Sequence, residues 1–150
     1  MITATSVGTD EAQIRSTIEN WAKALRNKDA DGVLSHHTTD MVHFSLAPPL
    51  QYAGANELNK TRLEEWFSTW QGPLDYQVED LRIEAGDNIA FSHSLNRMRG
   101  NKSDGSKSEL WFRVTLCFEK IDGKWKIAHE HDSVPFYMDG SARAAIDLKP

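Results

Sequence analysis

The chain has 150 residues and a formal net charge of −5. That length gives room for one sizeable core, and the charge argues against a nucleic-acid surface, which needs a concentrated basic patch. No apolar run is long enough to span a bilayer, and the opening MITATSVGTDE lacks the basic and apolar regions of a secretory signal. The single cysteine, Cys117, allows no internal disulfide and fits a reducing, cytoplasmic setting.

In chain order, TDEAQIRSTIENWAKALRNKD reads as a helix. Ile14, Ile18, Trp21 and Leu25 form one stripe, with Thr9 as cap and Asp10 and Glu11 at the positive end of the dipole. DADGVLSHH reads as a short second helix weakened by Gly32. MVHFSLAPP reads as a strand closed by Pro48 and Pro49. GANELNKTRLEEWFSTWQGP reads as a third helix, with Leu63, Trp66, Phe67 and Trp70 on one face and Gly72-Pro73 as its stop.

After residue 74 the period changes to two. YQVEDLRIE and NIAFSHSLNRM flank AGD as a hairpin, and GNKSDGSKS is a polar loop. ELWFRVTLCFEK and KWKIAHEHDSV flank Asp122-Gly123, a strong hairpin turn. The residues from Met138 onward are small and polar, a loose tail by composition. Leading helices followed by a four-strand meander make an α+β domain, taken as one unit over 1–150 with a core of about 10–137 and a tail of 138–150.

Strict alternation assigns the faces. Trp125, Ile127, His129, His131 and Ser133 share one side of the last strand; Lys126, Ala128, Glu130 and Asp132 share the other. On the preceding strand Trp111, Arg113, Thr115 and Cys117 oppose Leu110, Phe112, Val114, Leu116 and Phe118. The second set is apolar and suits a core or a subunit contact. The first mixes an arginine, a hydroxyl and an indole, as a ligand-pocket wall does. His93 lies with Phe91, Leu95 and Arg97 on the strand before.

The helix–helix–strand–helix–meander order resembles the nuclear-transport-factor-2-like superfamily. The stretches IENWAKALRNKDADGVLSHHTTDMV, IAFSHSLNRM and RVTLCFEKIDGKWKIAHEHDSVPF resemble its SnoaL-like branch, related to ketosteroid isomerase. The resemblance covers roughly residues 10–137. It implies a cone: three helices packed on a strongly curved antiparallel sheet, a cavity for a small molecule, and a sheet that often forms a dimer contact. The isomerase uses an Asp base with a Tyr and a protonated Asp as oxyanion hole. Here Trp21 stands at the matching tyrosine position, and Ser45 or Phe44 stands where the base would be. A different acid–base group is required, with His43 one option.

The expected site therefore combines His93, His129 and His131 as proton-moving candidates with Arg113 as the group that holds negative charge. Thr115 and Tyr52 orient the ligand, and Trp21, Trp66, Trp111 and Ser133 complete the wall. Arg113 needs an acceptor, either a ligand anion or a carboxylate such as Glu109 or Glu130. His129 and His131 read first as hydrogen-bonding wall residues, with acid–base work as the sharper alternative. A metal pair would need a third ligand, which His93 could supply, but the sequence shows no second shell, so no metal and no cofactor is expected. His36 and His37, adjacent on a helix, diverge too far to share a ligand. The functional expectation is binding of a small carbonyl-bearing or anionic molecule, with cofactor-free proton transfer as the enzymatic reading. The alternative is a non-enzymatic ligand-sensing or oligomerisation module. The expected partners are a small molecule and a second copy of the chain docked through the sheet, with no nucleic acid and no membrane.

Overall fold

The computed structural model describes the backbone of residues 4–150 and side chains from Gly8 onward. Helix α1 spans Ala4–Arg26, α2 Ala30–Ser35 and α3 Lys60–Ser68. The strands are β1 His37–Phe44, β2 Tyr52–Ala53, β3 Trp70–Ala85, β4 Ile89–Lys102, β5 Lys107–Ile121 and β6 Lys124–Ser133. They form one sheet in the order β2-β1-β6-β5-β4-β3. The predicted meander β3 to β6 is antiparallel throughout, whereas β1 joins the edge of β6 in parallel.

The stripe on α1 is buried as its spacing requires: Ile14, Ile18, Trp21 and Leu25 are 0–7% exposed. Each such side chain is worth about 1.5–3 kcal/mol of transfer free energy. The stripe packs on the inner face of the sheet, where Phe112, Val114, Leu116 and Phe118 are buried in the core. Asp10 and Thr9 lie well inside α1, so neither caps it. Asp10 instead ties α1 to the sheet, accepting hydrogen bonds from Lys120 at 3.0 Å and the Trp125 indole at 3.1 Å. The Lys120 contact is the main reason its carboxyl is held below the usual range, against the opposing push of burial.

Several boundaries differ from the sequence reading. Asn59 caps α3 by accepting from the Arg62 backbone N–H, so that helix is shorter at both ends than its apolar pattern. Trp70 opens β3 rather than closing α3. His36 ends α2 and His37 begins β1, so these two do not share a helix. The polar stretch 100–108 shrinks to a tight turn over 103–106, because β4 and β5 continue into it. The tail folds back: Phe136 bridges Ala144, and Ala145 is buried.

One further difference decides where the site lies. The Asp122-Gly123 turn, with both residues at positive φ, sets Phe118 opposite Ile127. The next pair is Cys117 with His129, so Ala128 is an extra residue without a partner on β5. A one-residue bulge sends every later side chain to the opposite face. Trp125 and Ile127 point inward, and beyond the bulge it is Glu130 and Asp132 that point inward. The expectation that His129 and His131 share a side with Trp125 is corrected accordingly. A second irregularity, at Asp80 and Leu81 on β3, stands opposite β4 between His93 and Leu95. Bulges of this kind bend the strands that carry them.

Candidate functional site

Between the inner face of the sheet and the three helices lies a cavity of about 490 Å³. Trp21 and Leu25 of α1, Val33 of α2, Leu63 and Trp66 of α3, and Phe112 of β5 supply its apolar wall. His37, His43, Tyr76, Glu130 and Asp132 supply polar groups from the sheet. Tyr52, Arg62 and the 45–47 loop line it toward solvent, with the Arg62 guanidinium 5.4 Å from the Tyr52 ring centre.

Register explains the polar cluster. In the parallel pair, His43 stands beside Glu130. Its Nε2 lies 3.2 Å from Glu130 Oε2 and 2.9 Å from Asp132 Oδ2. Both carboxylate side chains are under a tenth exposed. Burial alone would lower the His43 pKa, but the two carboxylates outweigh it and raise it to about 11. Burial also pushes both carboxyl pKa values upward. At Glu130 the His43 charge more than offsets this and keeps the carboxylate ionised. At Asp132 burial and the neighbouring Glu130 charge prevail, and its pKa rises well above the ordinary value. Two carboxyls this close divide the roles: one carries charge, the other carries the proton.

Tyr76 belongs to the same constellation. Its hydroxyl accepts a hydrogen bond from Asn96 Nδ2 at 2.8 Å, and Asn96 Oδ1 accepts from Ser94 at 2.7 Å. The phenolic proton is therefore free to point elsewhere. Burial, with the Asp132 and Glu130 charges, keeps that phenol protonated far above neutrality. Four buried polar atoms lining the cavity have no hydrogen-bond partner among the described residues: Asp132 Oδ1, Trp21 Nε1 and both ring nitrogens of His37. His43, Glu130 and Asp132 also place one ligand atom each within 4.8 Å of one another, so they are the described side chains that could close on a cation.

The residues singled out from sequence divide between the two faces. Trp21, Tyr52 and Trp66 line the cavity. His93, Arg113, Thr115, His129, His131, Trp111 and Ser133 lie on the outer face. There His93, Thr115 and His131 form one row across three strands, and Leu95, Arg113 and Ser133 form the next. The structure does bring the three histidines and Arg113 onto a common face, but that face points away from the cavity. His93, Arg113 and Thr115 border a separate, more open depression there of about 760 Å³. Arg113 donates to the Ser133 hydroxyl at 3.1 Å rather than to Glu109 or Glu130. His129 and His131 stack edge-on against Phe44, and His129 Nδ1 bonds the Val42 carbonyl oxygen at 2.7 Å.

Sequence reasoning missed Glu130, Asp132, Tyr76 and His37. One signal was present. Phe118 and Ile127 are fixed face to face by the turn, so unbroken alternation would have set His129 and His131 against the apolar Phe112–Phe118 face. That conflict between the two faces marks an irregularity.

Helix order, sheet order and an enclosed cavity on the helical side are the features of the nuclear-transport-factor-2-like cone, and the family model of the SnoaL-like domain matches residues 14–137. The chain belongs to the SnoaL-like family. An NTF2-like protein of unknown function from Pseudomonas putida shares 30% identity over 95% of this chain and 98% of its own, with a TM-score of 0.84. At 15% identity, a candidate scytalone dehydratase from Novosphingobium aromaticivorans shares the fold over 94% of this chain and 96% of its own, at a TM-score of 0.75. An NTF2-like superfamily protein from Salmonella enterica does so at 15% identity over 92% of this chain and 98% of its own, also with a TM-score of 0.75. No curated protein matches the chain. As in other SnoaL-like cones, the sheet wraps around its helices. No helix among the described residues is long and apolar enough to cross a membrane.

Proposed function

We propose that this SnoaL-like protein binds a small carbonyl-bearing molecule in the inner cavity and catalyses cofactor-free proton transfer on it. The observation that carries the reading is the buried His43–Glu130–Asp132 cluster, with Asp132 Oδ1 unpartnered on the cavity wall. A carboxyl whose pKa is pushed up is a stronger base when ionised than an ordinary carboxylate. Asp132 holds its proton at rest; in the form that has passed that proton to solvent, it takes one from the carbon beside the substrate carbonyl and returns it at another position or to a leaving hydroxyl. His43 and Glu130 position Asp132 and set its charge. The free phenolic proton of Tyr76 suits a hydrogen bond to the carbonyl oxygen as negative charge develops there. The dehydratase description of one structural neighbour is compatible with this chemistry.

The test is deuterium exchange of β-tetralone in heavy water, followed by proton NMR. The wild-type protein should accelerate exchange of the protons next to the carbonyl, and Asp132→Asn should lose about a hundredfold or more of that acceleration. Exchange no faster than in buffer, or unchanged in Asp132→Asn, would remove the reading.

A second reading concerns the outer face as an assembly surface for two copies of the chain. Phe91 is 46% exposed on that face, beside Cys117 and, across β5, His129, and Ile89 on the same side of β4 is 70% exposed. Adjoining exposed apolar groups on one sheet face are a mark of a subunit contact. Phe91→Asp should shift sedimentation from dimer to monomer without changing the far-ultraviolet spectrum. A wild type that sediments as a monomer would contradict it.

A further inference from the structure

We propose that Trp21 and His37 form a second polar subsite in the cavity, which holds an uncharged hydroxyl or keto oxygen of the ligand at a point separate from the His43 cluster. The inference rests on the proton-transfer reading above and adds the class of ligand: an uncharged, largely apolar ring compound with two oxygen functions.

Trp21 is 2% exposed, its indole N–H has no partner among the described residues, and it lines the cavity. Both nitrogens of His37 are in the same condition on the same cavity. Buried polar groups are nearly always paired, and an unpaired one is costly to the fold. An indole N–H can only donate, whereas a neutral imidazole donates once and accepts once. A hydroxyl matches both, accepting from Trp21 and donating to His37, and a keto oxygen matches two donors.

Position separates this subsite from the charged cluster. His37 pairs with Ile127 and His43 with Glu130. Three residues along a strand span at most about 10 Å, which a bicyclic ligand can bridge. Charge then selects against anions. His43 is already engaged by two carboxylates, and Arg62 is exposed at the rim over Tyr52. Burial, reinforced by the His43 charge, lowers the His37 pKa to about 4 despite the opposing pull of Glu130, so His37 is neutral at pH 7. A ligand carboxylate placed beside Trp21 and His37 would face the Glu130 charge without a free buried cation to balance it.

The experiment compares two fluorescent probes of equal shape, β-naphthol and β-naphthoate, at neutral pH. Wild-type protein should bind the naphthol at least about tenfold tighter than the naphthoate. His37→Phe and Trp21→Phe should each weaken naphthol binding by about tenfold, the loss of one hydrogen bond. In the wild type the Trp21 indole N–H resonance should move downfield on naphthol addition, which needs no variant to fold. Equal or tighter naphthoate binding, an unmoved indole resonance, or naphthol affinity unchanged in both variants overturns the subsite. Those results leave the Asp132-dependent exchange of β-tetralone untouched, so the two proposals fail separately. If neither probe binds the wild type, the subsite is likewise overturned.

Discussion

On the inner face of the sheet His43 is enclosed by Glu130 and Asp132, and the polar atoms around it are buried. On the outer face His129 and His131 lean on Phe44, and Arg113 reaches the Ser133 hydroxyl. The two faces carry similar residue types, yet only one has low dielectric, enclosure and an opposed charge pair. Enclosure is what lets a histidine and two carboxyls displace one another's acidities. The same side chains facing water are ordinary surface residues. The assignment of side chains to one face or the other depends on a single residue, Ala128.

The sharpest way to break this comparison is to insert one residue between Cys117 and Phe118, which gives Ala128 a partner and restores strict alternation. His129 and His131 would then turn inward with Cys117 and Thr115, while Leu116 and Val114 would turn out with Glu130 and Asp132. The cost should exceed the whole stability of a domain, about 5–15 kcal/mol, and circular dichroism should show no cooperative melt. An insertion variant that melts within a few degrees of wild type would refute the bulge as the determinant of the faces.

Next in size is the contrast between point changes. Glu130→Ala removes the ionised partner of the buried His43 cation and should cost about 3–5 kcal/mol in urea denaturation. Arg113→Met, on the exposed outer face, should stay within about 0.5 kcal/mol of wild type. Equal losses from the two would mean that the faces do not differ in enclosure.

A smaller and more specific effect is pH-dependent. The folded pKa of His43 is raised to about 11 from its ordinary value of 6.5. Its stabilisation is therefore complete below the unfolded pKa and is lost as pH rises toward the folded one. The melting-temperature gap between wild type and His43→Gln should be widest near about pH 6 and close progressively toward about pH 10. A gap that widens with rising pH would contradict the sign.

Much of the fold was legible because hydrophobic period reports burial directly. The Ile14–Leu25 stripe, the Phe112–Phe118 alternation and the Asp122-Gly123 turn each have one physical solution, and each is found in the structure. Trp70 misled because apolar spacing continued past the cap-to-cap length of α3 into a strand. The site was largely illegible for a different reason. Alternation predicts faces only while the ladder is unbroken, and Ala128 carries no mark of a bulge. His43 was readable as an acid–base option, but its partners Glu130 and Asp132 had been assigned to the opposite side from the strand's inward Trp125 and Ile127. Tyr76 and His37 are made functional candidates by burial and by unmet hydrogen bonds, which no spacing encodes.

The most direct test of the inner-face cluster is histidine ring-nitrogen NMR across pH, with His43 and His37 assigned by substitution. The account predicts that His43 keeps both ring protons through about pH 8, held by Glu130 and Asp132, while His37 stays neutral down to about pH 5. Deprotonation of His43 near its ordinary value of 6.5 would contradict it, because a histidine clasped by two buried carboxylates cannot titrate like one in water.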